Sequence, residues 1–266
     1  MADCVLVEAI DRIAVVSLDR PSRLNALDLE TASALSAALA HVGQTPQVAA
    51  VIITGRGRAF CAGGDLAWIT RAGADAASAI SQLADQFHQA IIEICTMAKP
   101  VIAAVSGIAA GGGFSLALAC DFRVLSQDAL FCHAYTSAGL SMDGGTSLTL
   151  PRVVGYARAL DIAAFDEPIL ADRAAALGLA TEVVDGDPFD AAVTMARRLT
   201  QRSLAAFGMS KRLLTTTLRA ELEQQLNRER DGIAEMLTTA EGVEGVSAFV
   251  EKRRPNFEQA RTKSKS

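Results

Sequence analysis

Asp143 stands alone in GLSMDGGTSLTLPR (Gly139 to Arg152), one acid among small and apolar residues with two glycines behind it. A carboxylate avoids such surroundings unless it is paired or used. Apolar neighbours such as Leu140 and Met142 would push its pKa toward neutrality, which suits a group that carries a proton. The same residue could instead cap a helix starting at Gly144, since Asp is a favoured N-cap. Two glycine turns share a second design. FCAGGDL (Phe60 to Leu66) and IAAGGGFS (Ile108 to Ser115) each follow an apolar run and precede a helical pattern. Glycine lets backbone N–H groups approach a ligand, and a helix N-terminus adds unpaired N–H groups and a positive dipole end. Two such donors meeting on one oxygen form an oxyanion hole; tight packing of helix on strand is the alternative use of the same glycines.

Other chemistries lack their residues. The Gly111-Gly112-Gly113 turn has no third glycine at dinucleotide spacing, and no glycine loop ends in Gly-Lys-Ser/Thr. Gly139-Leu-Ser141-Met-Asp143 begins like a nucleophile elbow but ends in Asp. His41, His88 and His133 have no helical i, i+4 partner, so no metal site is expected. His88, at the edge of an apolar stripe beside Phe87, is expected to be a buried, hydrogen-bonded histidine. Cys61 adjoins the first glycine turn, yet a thiolate there would need an activating neighbour. Asp65 reads as a helix cap.

The elements that must position these residues follow from hydrophobic period and turn chemistry. Val5–Ile10 and Ile13–Leu18 are apolar runs split by Asp11-Arg12, which predicts a hairpin. Asp28 caps a helix with the stripe Ala32, Leu35, Leu39 and Val42. Val48–Thr54 reads as a strand. Ala76–Met97 reads as a long helix with Ile80, Leu83, Phe87, Ile91 and Ile94 on one face, ended by Lys99-Pro100. Val101–Val105 is a strand, Gly112–Ala119 a helix, and Phe122–Leu125 and Leu130–Ala134 strands, the last putting His133 and Tyr135 in one regular segment. This alternation implies an α/β fold. The chain reads as a core over residues 1–190 and a helical C-terminal part over 191–266.

Bulk properties narrow the class. The chain has 266 residues, half of them hydrophobic, enough for one large domain with an appendage. The net charge of −5, with basic residues dense only around Lys252-Arg253-Arg254, gives no nucleic-acid footprint. Five cysteines without a Cys-x-x-Cys pair suit a reducing compartment, and the first residues lack the basic and apolar regions of a signal peptide, so a cytoplasmic protein is expected. Val101 to Cys120 carries no charge over twenty residues, but its glycines favour a strand, a turn and a helix over a membrane span.

RPSRLNALD (Arg20 to Asp28), AFCAGGDL (Ala59 to Leu66), KPVIAAVSGIAAGGGFSLALACD (Lys99 to Asp121), GLSMDGGTSLTLPR, ALGLATEVV (Ala176 to Val184) and GVSAFVEKRRPNF (Gly245 to Phe257), in this order, resemble the enoyl-CoA hydratase/isomerase, or crotonase, superfamily. The resemblance covers nearly the whole chain. It implies a crotonase-like spiral of ββα units with a helical C-terminal part that mediates trimer formation, as a homotrimer or a dimer of trimers. It implies an acyl-CoA thioester substrate, with coenzyme A part of that substrate and no permanently bound cofactor. It places oxyanion donors on the N–H groups of Gly64 and Gly112. It places coenzyme A against Arg23 and the backbone of Ala62 and Leu66, and brings Lys252 and Phe257 to a neighbouring subunit's coenzyme A.

The sequence departs from the hydratases at their two glutamates. The matching residues are Ser115 and Tyr135, which keep their protons at neutral pH and would line the acyl group. Members with an aspartate at the position of Asp143 are similar here: dienoyl-CoA and ring-epoxide phenylacetyl-CoA isomerases, which use it as an acid/base, and 4-chlorobenzoyl-CoA dehalogenases, which use it as a nucleophile. His88 matches a histidine of the dehalogenases, while Gly64 replaces an aromatic of their pocket. The expected reaction is a double-bond shift or ring isomerisation through a stabilised enolate, with Asp143 moving the proton. Hydration, dehalogenase-like or hydrolytic chemistry, and non-enzymatic acyl-CoA binding are the alternatives.

Overall fold

In the computed structural model, residues 4–263 are described. Among these residues ten strands are divided between two sheets, alternating from β3 to β8: β1 (Val5–Ile10), β2 (Ile13–Leu18), β3 (Ala50–Gly55), β4 (Ala59–Cys61), β5 (Val101–Val105), β6 (Ile108–Ala110), β7 (Phe122–Ser126), β8 (Leu130–Cys132), β9 (Ile169–Leu170) and β10 (Glu182–Val184). The larger sheet has the order β1-β2-β3-β5-β7-β10 and the smaller β4-β6-β8-β9. Beyond the antiparallel β1–β2 hairpin, the larger sheet is parallel throughout. In the smaller sheet β4, β6 and β8 are parallel and β9 is antiparallel.

The helices are α1 (Leu29–Gln44), α2 (Leu66–Arg71), α3 (Ala76–Thr96), α4 (Gly112–Ala119), α5 (Thr146–Val154), α6 (Tyr156–Phe165), α7 (Ala171–Ala176), α8 (Pro188–Thr200), α9 (Leu204–Met236), α10 (Ala240–Val250) and α11 (Phe257–Lys263). The chain thus repeats one unit: a strand in the large sheet, a strand in the small one, then helix. β3-β4-α2 and β5-β6-α4 are two turns of this spiral, and both deliver a glycine turn to the same side. The uncharged run from Val101 to Cys120 is divided among β5, β6 and α4, and among the described residues no helix is long and apolar enough to cross a membrane.

Asp28 and Asp65 cap α1 and α2 by accepting from the N–H groups of Thr31 and Trp68. The apolar stripe of α3 is buried and packs on α1 and α9. The expected boundary between residues 190 and 191 falls inside α8. Ala192, Val193 and Ala196 of that helix pack with Ile52, Ile102 and Val124 on the outer face of the large sheet.

Lys211 ties α9 to the core. Its buried ammonium lies 2.7 Å from Asp121 and donates to the carbonyl of Ile94 at 2.8 Å. Asp121 also accepts from the N–H of Val101, the first residue of β5. Removing one partner of a buried pair leaves the other charge uncompensated. Lys211→Ala is therefore expected to lower the unfolding free energy by about 3 kcal/mol, read in a urea melt.

Candidate active site

The loop from Arg20 to Asp28 acts as a strap beneath the first glycine turn. Ala62 N–H donates to Leu24 at 3.0 Å, Leu27 N–H to Gly63 at 2.7 Å, and Asp65 N–H to Leu27 at 2.8 Å. Arg20 bridges Asp28 at 2.9 Å and Asp65 at 3.3 Å, holding both ends of the strap to the start of α2. The two glycine turns then pack against each other. Gly63 has φ of +92°, and a Cβ there would lie 2.7 Å from the carbonyl oxygen of Ala110 and 3.2 Å from the nitrogen of Gly112. A Cβ on Gly113 would lie 2.1 Å from the carbonyl oxygen of Cys61. Close approach of the two backbones is why these positions are glycine.

A cavity of about 390 Å³ opens where the turns meet. Ala62, Gly64 and Leu66 line it from the first turn and Gly112 from the second, with Tyr135 and Asp143 on the same cavity. Gly112 is the first residue of α4, so its N–H has no acceptor in a preceding helical turn. Most of the remaining wall is apolar, with Ile69, Ile80, Leu83, Ala84 and Phe87 on one side. Ile233 and Phe249 close it from the C-terminal helices α9 and α10 of the same chain.

Asp143 is not a helix cap. The helix after it starts at Thr146, its N-cap is Gly145, and the carboxylate goes elsewhere. Asp143 Oδ1 and His88 Nε2 share a hydrogen bond of 2.6 Å, with both side chains buried. The backbone carbonyl of Asp143 accepts from the hydroxyls of Ser115 at 2.8 Å and Tyr135 at 3.2 Å. Those hydroxyls lie 3.0 Å apart, and Thr146 Oγ1 donates to Ser115 at 2.6 Å. Ser115 is thus consumed in holding the Asp143 loop and does not line the cavity, whereas Tyr135 does both. Burial, then the charge of Asp143, raise the Tyr135 pKa well above the ordinary phenol value, so it remains a hydrogen-bond donor. β8 ends at Cys132 and Ala134 has φ of +56°, so the regular strand expected through Tyr135 breaks before it.

Glu229, on α9, is a site residue that no sequence motif marks. It reaches from α9 to within 4.8 Å of the ligating atoms of His88 and Asp143. Its carboxylate accepts from the N–H of Gly145 at 2.6 Å, from the N–H of Ser147 at 3.0 Å, and from the Ser147 hydroxyl. No acid stands near His88 in sequence, yet the fold brings two to it. The chain separates these three residues by tens of positions, and the packing of both α3 and α5 on α9 joins them. One His and two carboxylates are a donor set that divalent cations accept. Here the His88 nitrogen is engaged with Asp143 and both Glu229 oxygens are engaged with α5, so the cluster is satisfied as a hydrogen-bond network.

Burial, then the charge of Asp143, raise the Glu229 pKa to about 7. The folded state therefore binds this proton more tightly than the unfolded chain, and stability falls as pH rises from about 4.5 to about 7. Relative to Glu229→Gln, the wild type is expected to lose melting temperature between pH 5 and pH 8, which parallel thermal melts would read.

The other expected residues lie apart. Arg23 is exposed at the end of a 3₁₀ turn, outside the cavity but next to Leu24, which lines it. Lys252 is exposed beyond α10, and Phe257 is half-buried at the start of α11; neither lines the cavity of its own chain. Ala62 keeps only its carbonyl for a ligand, because its N–H is committed to Leu24. Leu66 opens α2, where first-turn N–H groups lack helical acceptors. Cys61 is buried and its pKa is pushed up to about 12 by that burial, so no thiolate forms there.

The profile of the family described as enoyl-CoA hydratase/isomerase matches residues 8–261. The chain belongs to the enoyl-CoA hydratase/isomerase family. It is 38% identical over 251 residues to a probable enoyl-CoA hydratase of Rhodobacter capsulatus, covering 94% of this chain and 96% of the relative. It is 33% identical over 259 residues to the 1,2-epoxyphenylacetyl-CoA isomerase of Escherichia coli, covering 97% and 99%. Among solved structures, an enoyl-CoA hydratase from Mycobacterium avium subsp. paratuberculosis superposes with a TM-score of 0.85 at 33% identity, covering 95% of this chain and 98% of that one. The α/β crotonase fold and an acyl-CoA enzyme of the enoyl-CoA hydratase/isomerase type are thereby established for this family member. The position of the cavity carboxylate Asp143 bears on which reaction the protein runs.

Proposed function

We propose that this protein isomerises an enoyl-CoA by moving one proton with Asp143, while the N–H groups of Gly64 and Gly112 hold the thioester oxygen. The observation that carries this reading is the cavity itself: among the described residues Asp143 is its one carboxylate, and the two glycine turns face the same space. Ser115 and Tyr135 occupy the places where the resemblance puts two hydratase glutamates, and their hydroxyls hold the Asp143 loop instead.

In a 3-enoyl thioester, C2 lies between the carbonyl and the double bond and is the acidic carbon. Asp143 takes the C2 proton, and the electron pair spreads over the thioester oxygen and C4. Two backbone donors stabilise the oxygen's charge. Asp143 then returns the proton to C4, leaving the conjugated 2-enoyl thioester with no net change in atoms. His88, bonded to Asp143 at 2.6 Å, fixes its orientation. The apolar wall formed by α3 suits an acyl group without charge. Coenzyme A enters as part of the substrate, with Arg23 and the backbone of Ala62 and Leu66 at the mouth, and with Lys252 and Phe257 offered across a subunit contact. Exposed Tyr156, Leu160 and Phe165 on α6 and Leu213 and Leu214 on α9 support a trimer or a dimer of trimers. Sedimentation equilibrium giving a mass that is not a multiple of three chains would count against that assembly.

The test is a short 3-enoyl-CoA followed by the rise in ultraviolet absorbance of the conjugated product. A second reading is favoured by the His88–Asp143 bond: Asp143 attacks the halogen-bearing ring carbon of a halogenated aryl-CoA, the carbon–halogen bond breaks and halide leaves, and His88 then takes a proton from the water that hydrolyses the aspartyl ester. A covalent mass increase on Asp143 with an aryl-CoA substrate, absent with the 3-enoyl-CoA, would favour that reading over the isomerase.

A further inference from the structure

The C-terminal helix α9 completes the site of its own chain through Glu229. Leu222, Leu226, Glu229 and Ile233 follow one face of α9, and all four are buried. An acid in an apolar stripe must be paired or used. Among the described residues the hydrogen-bond partners of Glu229 are neutral donors. Its two oxygens take the N–H groups of Gly145 and Ser147 and the Ser147 hydroxyl, with Gln225 donating to the same hydroxyl at 2.8 Å. Gly145 is the N-cap of α5, has φ of +78° and has no side chain to cap the helix. Glu229 therefore supplies the cap from 84 residues away, its oxygens accepting the N–H groups at the start of α5.

The consequence falls on Asp143, two residues before Gly145. Its loop is held on one side by the Ser115 and Tyr135 hydroxyls on the Asp143 carbonyl, and on the other by Glu229 on the Gly145 N–H. Its carboxylate meets His88 between these two anchors. We infer that Glu229 is a positioning residue, which clamps the Asp143 loop to α9 and so sets the reach of the Asp143 carboxylate into the cavity. This rests on the isomerase reading only for the identity of the reaction; the clamp itself is independent of it. A misplacement of about 1 Å at a reacting group costs about a hundred-fold in rate.

Glu229→Ala removes all three bonds. Glu229→Gln keeps the volume and one accepting oxygen, but turns an amide N–H₂ toward a backbone N–H. Both are to be measured in the full-length protein after thermal melts establish that they are folded. For each, kcat with a short 3-enoyl-CoA is expected to fall by about a hundred-fold for Ala and less for Gln, with KM changed by less than about threefold. A second readout needs no turnover. The short His88–Asp143 bond gives a downfield imidazole N–H proton resonance, and the chain has three histidines, so loss of that signal in His88→Gln assigns it. The signal is expected to vanish or move upfield in the Glu229 variants. A folded variant in which the resonance is unchanged and kcat stays within about threefold overturns the inference. If the wild type itself turns over no 3-enoyl-CoA, the isomerase reading fails, and the resonance alone decides the clamp.

Discussion

Asp143→Asn is expected to lower turnover of a short 3-enoyl-CoA by about a thousand-fold while affinity for the CoA ester stays within about threefold. The amide matches the carboxylate in shape and can still accept the hydrogen bond from His88. The loop is held by backbone bonds to Gly145 and to the carbonyl of residue 143, which the substitution leaves in place. What disappears is the capacity to take and return a proton. Isothermal titration with an unreactive CoA thioester, beside steady-state kinetics, separates the two effects. A variant that lost binding and turnover together would place Asp143 in a structural role.

Gly112→Pro is expected to cost at least about a hundred-fold in kcat/KM with little change in melting temperature. Gly112 is the first residue of α4, the helical position that tolerates proline best, because its N–H has no helical acceptor. A Cβ there meets Leu27 at 3.6 Å and Phe87 at 3.7 Å, ordinary contact distances. The substitution therefore deletes one donor and puts a methylene where the thioester oxygen would sit, without unwinding the helix. Gly113→Ala is the informative contrast. Its Cβ would collide with the Cys61 carbonyl at 2.1 Å, so both melting temperature and activity should fall. Kinetics and melts on the two variants distinguish a lost donor from a distorted turn.

The parts of this fold that were legible from sequence are those governed by local rules. The β1–β2 hairpin turns at Asp11-Arg12 as its pattern predicts, α4 spans Gly112–Ala119 as expected, and the apolar stripe of α3 is the buried face. Asp28 and Asp65 cap the helices they precede. Asp143 stood out because an acid in an apolar stretch is costly, but its partner did not. His88 is 55 positions away, and nothing local links the two. Ser115 was expected at the acyl group, yet it is a strut under the Asp143 loop, since its hydroxyl points into contacts with Tyr135, Thr146 and the Asp143 carbonyl. Glu229 left one usable trace: it falls on the stripe of Leu222, Leu226 and Ile233, where a polar residue calls for a partner. The 8-residue helix α4 and the glycine turns were readable as a pair, but their contact depends on two parallel strands of the small sheet lying side by side, which is a property of topology.

The most direct measurement is a short 3-enoyl-CoA incubated with the protein in deuterated water and followed by NMR, with Asp143→Asn in parallel. The account predicts conversion to the conjugated 2-enoyl-CoA, with any solvent deuterium that enters appearing at C4, and no conversion by the variant. Accumulation of a 3-hydroxyacyl-CoA without isomerisation, or conversion undiminished in Asp143→Asn, would contradict it.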